Sequence, residues 1–210
     1  MSTARVDVAI VDYGMGNLHS VNKALERVAP AGCRVRVTRQ PEEVAAAGRV
    51  VFPGQGAMHD CMRELAACGL DEAVRDAAVN KPFLGICVGQ QMLFDHSEEG
   101  DCAGLGILPG QVKRFADAPA RKVPHMGWNE LWPAREHPLW AGIAPGARFY
   151  FVHSYYVCPQ QESDAAAHTE YGVRFAAAVA RDNLFALQCH PEKSAADGLR
   201  LLENFLRWKP

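Results

Sequence analysis

From Val6 to Cys87 the chain alternates short β-branched and apolar runs with stretches of helical period. This alternation restricts it to a largely parallel sheet with helices on both faces. Val6 to Tyr13 predicts a buried strand, ended by Gly14-Met15-Gly16. Leu18, Val21, Leu25 and Val28 recur at helical spacing, and Pro30-Ala31-Gly32 closes that helix. Arg34 to Thr38, Arg49 to Phe52 and Pro82 to Cys87 predict further strands, with a short helix opened by Pro41 and a helical region from Met58 to Ala78 between them. Later, Phe149 to Val157 is strand-like. Phe175 to Ala180 and Leu184 to Cys189 flank Arg181-Asp182-Asn183 as a hairpin. Ala196 to Trp208 returns to helix, with Leu199, Leu202, Phe205 and Leu206 on one face. Gly100 to Pro145 is too rich in Gly and Pro to assign. With no internal repeat and no linker, the expectation is one α/β domain over residues 1–210, built on a mixed, mainly parallel sheet.

A chain of 210 residues buries enough surface, roughly 70% of what its unfolded form exposes, to fold without disulfides or metal. Twenty-two basic residues against 24 acidic ones leave no basic excess for sequence-independent phosphate binding, which argues against a nucleic-acid partner. No stretch approaches the ~20 apolar residues of a membrane-spanning helix, and the first residues lack a secretory layout. Seven cysteines form no Cys-x-x-Cys pair and stand at no zinc-ligand spacing. A cytoplasmic protein with free thiols and no bound metal is expected.

Gly85-Ile86-Cys87-Val88-Gly89 matches the Gly-x-nucleophile-x-Gly pattern of a nucleophile elbow, with cysteine in the place of serine. A sharp strand-to-helix turn crowds the positions two before and two after the nucleophile, so a Cβ at either would clash. The turn lifts the thiol above the carboxyl edge of the sheet, at a helix amino terminus, and Gln90 to Phe94 can continue that helix. A thiol nucleophile needs a base, and the base an orienting group. His190 in Cys189-His190-Pro191-Glu192 is the best candidate: in an extended segment Glu192 falls on the same side, and Pro191 favours extension. His137 has Leu139 where an acid is needed, and His153 sits in an apolar strand as a core histidine would. His19, His59, His96 and His168 read as surface or helix residues without an adjacent acid. Pro53-Gly54-Gln55-Gly56 follows the third strand and belongs beside the Cys87 loop; a backbone N–H there, with that of Val88, can form a two-donor oxyanion hole. Gly14-x-Gly16 has no third glycine at position 19, so the dinucleotide fingerprint fails.

With these motifs in hand, the sequence resembles the class I, triad-type glutamine amidotransferases, whose Gly-x-Cys-x-Gly-x-Gln elbow and distant His-Pro-Glu are matched by Gly85 to Gln91 and His190 to Glu192. Asp12 to Leu18, Pro53-Gly54-x-Gly56, Pro124-His125-Met126-Gly127-Trp128-Asn129 and His153-Ser154-Tyr155 look like the family of glutaminase subunits of imidazole glycerol phosphate synthase. The resemblance implies glutamine hydrolysis, without a cofactor, and delivery of ammonia to a separate (β/α)8-barrel cyclase in histidine synthesis. It makes Cys87 the nucleophile, His190 the base and then the acid, and Glu192 the orienter. Gln55 and Val88 become the oxyanion hole, although the family's loop commonly has an apolar residue where Gln55 stands. Gly56, Gln91, Glu99, Ser154 and Tyr155 match substrate contacts, and His125, Trp128, Asn129 and Lys193 the cyclase face or the ammonia exit. Elbow and triad alone also suit a glutaminase serving an anthranilate, aminodeoxychorismate or pyridoxal phosphate synthase. A stand-alone cysteine hydrolase and a non-catalytic interaction subunit are the remaining readings.

Overall fold

A computed structural model describes residues 7–118 and 121–210. Val6, where the first strand was expected to begin, lies outside them. The alternating half comprises β1 (Val8–Val11), α1 (Leu18–Val28), β2 (Val35–Thr38), α2 (Pro41–Ala46), β3 (Arg49–Gly54), α3 (Met58–Ala67), α4 (Asp71–Asn80), β4 (Phe83–Cys87) and α5 (Val88–Gln91). The remainder comprises β5 (Phe94–Ser97), β6 (Cys102–Ala103), β7 (Leu108–Arg114), β8 (His125–Pro133), β9 (Ala147–His153), β10 (Tyr155–Pro159), β11 (Ala165–Glu170), β12 (Arg174–Arg181), β13 (Leu184–Leu187) and α6 (Ala195–Arg207).

Among the described residues nine strands form one sheet, in the order β2-β1-β3-β4-β13-β12-β11-β8-β9. The sheet is mixed, as expected, and divides evenly: its first five strands pair in parallel and the last four run antiparallel. "Mainly parallel" therefore describes only the half that carries β1 to β4. The physical reason is local: only β1 to β4 are joined by helices long enough to return the chain to the same edge. The strands from β8 onward are joined by loops and turns without a long helix, such as Asp182-Asn183 between β12 and β13, with Asp182 at φ +50°. β1, β4 and β13 are buried along their whole length, as parallel strands covered on both faces must be. The chain steps one way from β1 to β2 and the other way from β3 to β4, so right-handed crossovers send their helices to opposite faces. Accordingly α1 packs with α6, and α2 with α4.

Helix α1 buries Val21, Ala24 and Leu25, the stripe that its spacing predicts. On α6 the stripe is Leu201, Leu202, Phe205 and Leu206, while Leu199 is only partly buried. The unassigned segment from Gly100 to Pro145 supplies β6, β7 and β8, and a second, four-stranded sheet runs β10-β7-β5-β6. Its glycines at 106, 110 and 127 all take positive φ, which interrupts the period-2 signal that would have revealed the strands. His168 lies buried in β11 rather than on the surface, with Nε2 3.2 Å from Glu162. His96 sits in β5 beside Asp101 at 2.9 Å. No helix among the described residues is long and apolar enough to cross a membrane.

Candidate active site

Strand β4 ends at Cys87, which holds φ +56° and ψ −117°, a backbone conformation that L-residues rarely adopt. The surroundings impose it. A Cβ on Gly89 would overlap the carbonyl oxygen of Phe52, and one on Gly85 would stand 2.8 Å from Cβ of Ala186. The two crowded positions are those expected of an elbow. A third was missed: a Cβ on Gly54 would lie 2.7 Å from the Gly89 nitrogen, so Gly54 lets β3 close against the turn. Helix α5 is one turn long and stops at Gln91, instead of running on to Phe94, because Phe94 already belongs to β5. So short a helix has little dipole, and a charge that acts on the sulfur has to come from a side chain.

That side chain is His190. Its Nδ1 lies 2.8 Å from Oε1 of Glu192, and both side chains are almost wholly buried. The geometry differs from the extended segment expected: Pro191 to Lys193 form a 3-10 turn, which brings Glu192 back beneath the ring. Proline suits the first position of such a turn because its φ is preset and its missing N–H would go unused there. Ser194 Oγ donates to the His190 carbonyl at 2.6 Å and accepts from the Tyr150 N–H at 3.0 Å, pinning the turn to β9. His190 Nε2 is buried with no hydrogen bond of ordinary geometry among the described residues. Burial alone would lower the pKa of His190; the negative charge of a Cys87 thiolate and hydrogen bonding to it, joined by the Glu192 carboxylate, outweigh that and push it up to about 10.

Cys87 opens onto a cleft of about 280 Å³ beyond the carboxyl ends of β3, β4 and β13. Gln55, Gly56 and Val88 line it beside Cys87 and His190, and Gln91, Glu99, Ser154, Tyr155 and Lys193 complete the wall. The expected oxyanion, substrate and Lys193 positions therefore converge on one site. The loop carrying Gln55 has supports that sequence reading missed. Tyr13 donates its phenolic O–H to the Pro53 carbonyl at 3.0 Å, and the Cys61 thiol donates to the Gln55 carbonyl at 3.4 Å. Glu99 Oε2 accepts the Met58 N–H at 2.7 Å, so one of its oxygens holds the start of α3. Gln91 Nε2 donates to the Tyr155 carbonyl at 3.1 Å and to Oε1 of Gln188 at 2.9 Å. With both amide hydrogens used, Gln91 has only an accepting oxygen to offer a substrate.

The four positions expected on a partner face or at the ammonia exit divide. Along β8, alternate residues face opposite ways, and Met126, Trp128 and Trp132 share the outward side at 63%, 45% and 52% exposure. Lys193 is exposed, with Nζ 5.9 Å over the Tyr150 ring. His125 has the opposite parity and is buried, stacked on Tyr171, so it presents nothing to a docking surface. Asn129 is half-buried on that same side and donates to the Glu170 carbonyl at 2.9 Å.

His125 belongs to a chain of hydrogen bonds whose directions are fixed. A backbone carbonyl can only accept, so His153 Nδ1 donates to Tyr155 O at 2.7 Å. His153 Nε2 then accepts from His125 Nδ1 at 2.9 Å, and His125 Nε2 accepts from Asn129 Nδ2 at 3.3 Å. Both rings are neutral. Burial lowers His125 to about 4. Burial, with added repulsion from His125 and His190, lowers His153 to about 3 against the opposing Tyr155 carbonyl. His137 falls to about 4 through burial and the nearby Arg135. Depressed folded-state values mean that this stability is complete above the ordinary 6.5 and is lost as the pH falls towards 4 and then 3. Unfolding by urea should therefore show a folding free energy falling between pH 6.5 and 5, by on the order of 1.4 kcal/mol per pH unit for each such histidine. A flat profile would contradict the neutral network.

Comparison with known proteins agrees with this geometry. Residues 9–208 match the family model described as glutamine amidotransferase class-I. The chain is 63% identical to the imidazole glycerol phosphate synthase subunit HisH of Aromatoleum aromaticum, over 97% of this chain and 99% of that one. It is 62% identical to HisH of Nitrosospira multiformis at the same coverage, and 59% identical to HisH of Dechloromonas aromatica over the full length of both. Among solved structures, PurLQS from Thermotoga maritima superposes with a TM-score of 0.73 at 19% identity, over 97% of this chain and 99% of that one. A crystal structure described as a glutamine amidotransferase gives 0.71 at 20% identity, over 95% and 97%. At those identities the structures speak for the fold alone, but the full-length relatives go further: the chain belongs to the class-I glutamine amidotransferases and, within them, to the family of HisH subunits of imidazole glycerol phosphate synthase.

Proposed function

We propose that the chain hydrolyses glutamine to glutamate through a Cys87 thioester and hands the ammonia to a (β/α)8-barrel cyclase subunit, for formation of imidazole glycerol phosphate and aminoimidazole carboxamide ribonucleotide in histidine synthesis. The observation that carries this reading is the buried His190–Glu192 contact of 2.8 Å beside a strained cysteine at the floor of a cleft. Transfer of the Cys87 proton to His190 gives the thiolate that reacts, and the His190 pKa, raised to about 10, lets the ring hold that proton for the leaving nitrogen. The thiolate attacks the carboxamide carbon, and the backbone N–H groups of Gln55 and Val88 receive the developing oxyanion. Imidazolium then protonates the leaving nitrogen, which departs as ammonia, and the sulfur is left in an uncharged thioester. Loss of the thiolate removes the largest influence that raised the His190 pKa. The ring can now take a proton from water, the hydroxide adds to the thioester, and glutamate leaves as the thiolate and imidazolium reform.

Ammonia released into bulk water would mostly be protonated and lose its nucleophilicity, so the product needs a direct path to its acceptor. The outward stripe of Met126, Trp128 and Trp132 supports a docking face, since large apolar side chains side by side on one strand mark interaction surfaces. The whole chain, in this reading, is one glutaminase unit in a heterodimer. Seven free cysteines suit the reducing interior of a cytoplasm.

Glu192→Gln tests the triad. The variant should fold with an unchanged melting temperature, because the amide fills the same space, yet hydrolyse glutamine about a hundredfold more slowly. Removing the carboxylate lowers the His190 pKa, so the alkaline fall of the pH–rate profile, set by loss of the imidazolium proton, should move to lower pH. Wild-type rate with an unmoved alkaline limb would remove Glu192 from the triad.

A further inference from the structure

We propose that Gln188 is a positioning residue for the nucleophile: its carboxamide N–H, aimed by Gln91 and the Tyr155 carbonyl, holds the Cys87 sulfur and favours the thiolate. The inference rests on the reading of Cys87 as the nucleophile and adds a residue to that site.

The placement follows from register. Strand β13 pairs in parallel with β4, Leu187 opposite Ile86, so the next residue along, Gln188, falls beside Cys87. The Gln188 N–H continues the ladder to the Ala177 carbonyl at 2.8 Å, and His190 is extended, at φ −103° and ψ 96°. Residues two apart on such a segment share a side, so one strand end directs both Gln188 and His190 at the sulfur. Gln188 is fully buried, and its Nε2 lies 3.7 Å from Cys87 Sγ.

The polarity of the amide is set by its neighbours. The Tyr155 carbonyl has no hydrogen to give, so the Gln91 atom facing it is the nitrogen. The same nitrogen sits 2.9 Å from the Gln188 side chain, whose facing atom must then be oxygen. That leaves the Gln188 nitrogen turned to the sulfur. The Tyr155 carbonyl is itself fixed by the His153 N–H at 2.7 Å. An N–H donor aimed at a buried sulfur binds the thiolate more strongly than the thiol, since hydrogen bonds to charged groups are the strong ones. His190 supplies the countercharge, and Gln188 supplies direction. A purely structural glutamine would fill the same space but leave the chemistry of the sulfur untouched.

The test is alkylation of Cys87 by iodoacetamide in the full chain, followed peptide by peptide by mass spectrometry from pH 6 to 10, in wild type, Gln188→Met and Gln188→Glu. Methionine keeps the bulk and removes the donor. Glutamate keeps the acceptor for Gln91 and turns a carboxylate oxygen towards the sulfur. Alkylation at pH 7 should slow about tenfold in Gln188→Met, the size expected of one charge-assisted hydrogen bond, and further in Gln188→Glu, with the differences closing towards pH 10. In complex with the cyclase, glutamine-dependent kcat should fall about tenfold with KM within twofold, while ammonia-dependent turnover stays at the wild-type rate and certifies fold and docking. If Gln188→Met fails that control, Gln188→Glu carries the test. Wild-type alkylation profiles in a folded variant overturn the role of Gln188 while leaving the nucleophile intact. Glutamine hydrolysis that survives Cys87→Ala overturns the nucleophile, and this inference with it.

Discussion

Cys87→Ala is expected to lower glutamine hydrolysis by about 10⁴-fold or more, while a complex with the cyclase continues to use free ammonia at the wild-type rate. Every covalent step of the proposed reaction runs through the Cys87 sulfur, so no neighbouring group can replace it. Cys61 and Cys189 are both buried, and burial raises the pKa of each, which keeps them as inert thiols. Alanine at 87 relieves no crowding and introduces none, because the crowded positions are the flanking glycines. Steady-state glutamate release, measured beside ammonia-dependent turnover, separates the outcomes. Loss of both activities would mean a damaged fold, and retention of both would remove Cys87 from the chemistry.

Gly89→Ala should strongly destabilise the fold. The new Cβ would overlap the Phe52 carbonyl oxygen, lie 3.0 Å from its carbon and 3.3 Å from the carbonyl carbon of Pro53. All three atoms are backbone of β3, which is locked between β1 and β4, so nothing there can swing aside. A cost above about 4 kcal/mol follows, which for a chain of this length is a fall of roughly 10 °C or more in Tm, or failure to fold. Gly32→Ala is the control. Gly32 has a positive φ, +83°, which Gly89 does not, but open space around it, so strain alone acts and the cost should be about 1–2 kcal/mol. Equal melting temperatures for the two variants would show that crowding at the elbow does not govern stability.

What could be read from the sequence was what chemistry dictates locally. An elbow needs glycine on either side of its nucleophile, and Gly85 and Gly89 announced it. His190 and Glu192 could be paired because two residues lie within reach of each other in either an extended or a turned segment, although the turn, not extension, makes the contact here. Tyr13, Gly54 and Gln188 escaped because their partners are 35 or more residues away, or across a strand pair whose register no local pattern states. Cys61 is nearer to Gln55 in sequence, but only the packing of α3 turns its thiol back on the loop. That His125 lies on the buried side of β8 was not legible for a related reason: parity along a strand shows only once its ends are known, and the glycines around β8 hid them. The mixed sheet was partly legible for the same cause, since helix-linked strands announce parallel pairing and turn-linked ones reveal their partners only in space.

The most direct measurement is glutamate release from glutamine by the purified chain, alone and then with the cyclase subunit loaded with its nucleotide substrate. The proposed function predicts slow release by the isolated chain and strong stimulation by the loaded partner, abolished in both settings by Cys87→Ala. Rapid hydrolysis by the chain alone, unchanged by the cyclase, would contradict it and point to an independent hydrolase.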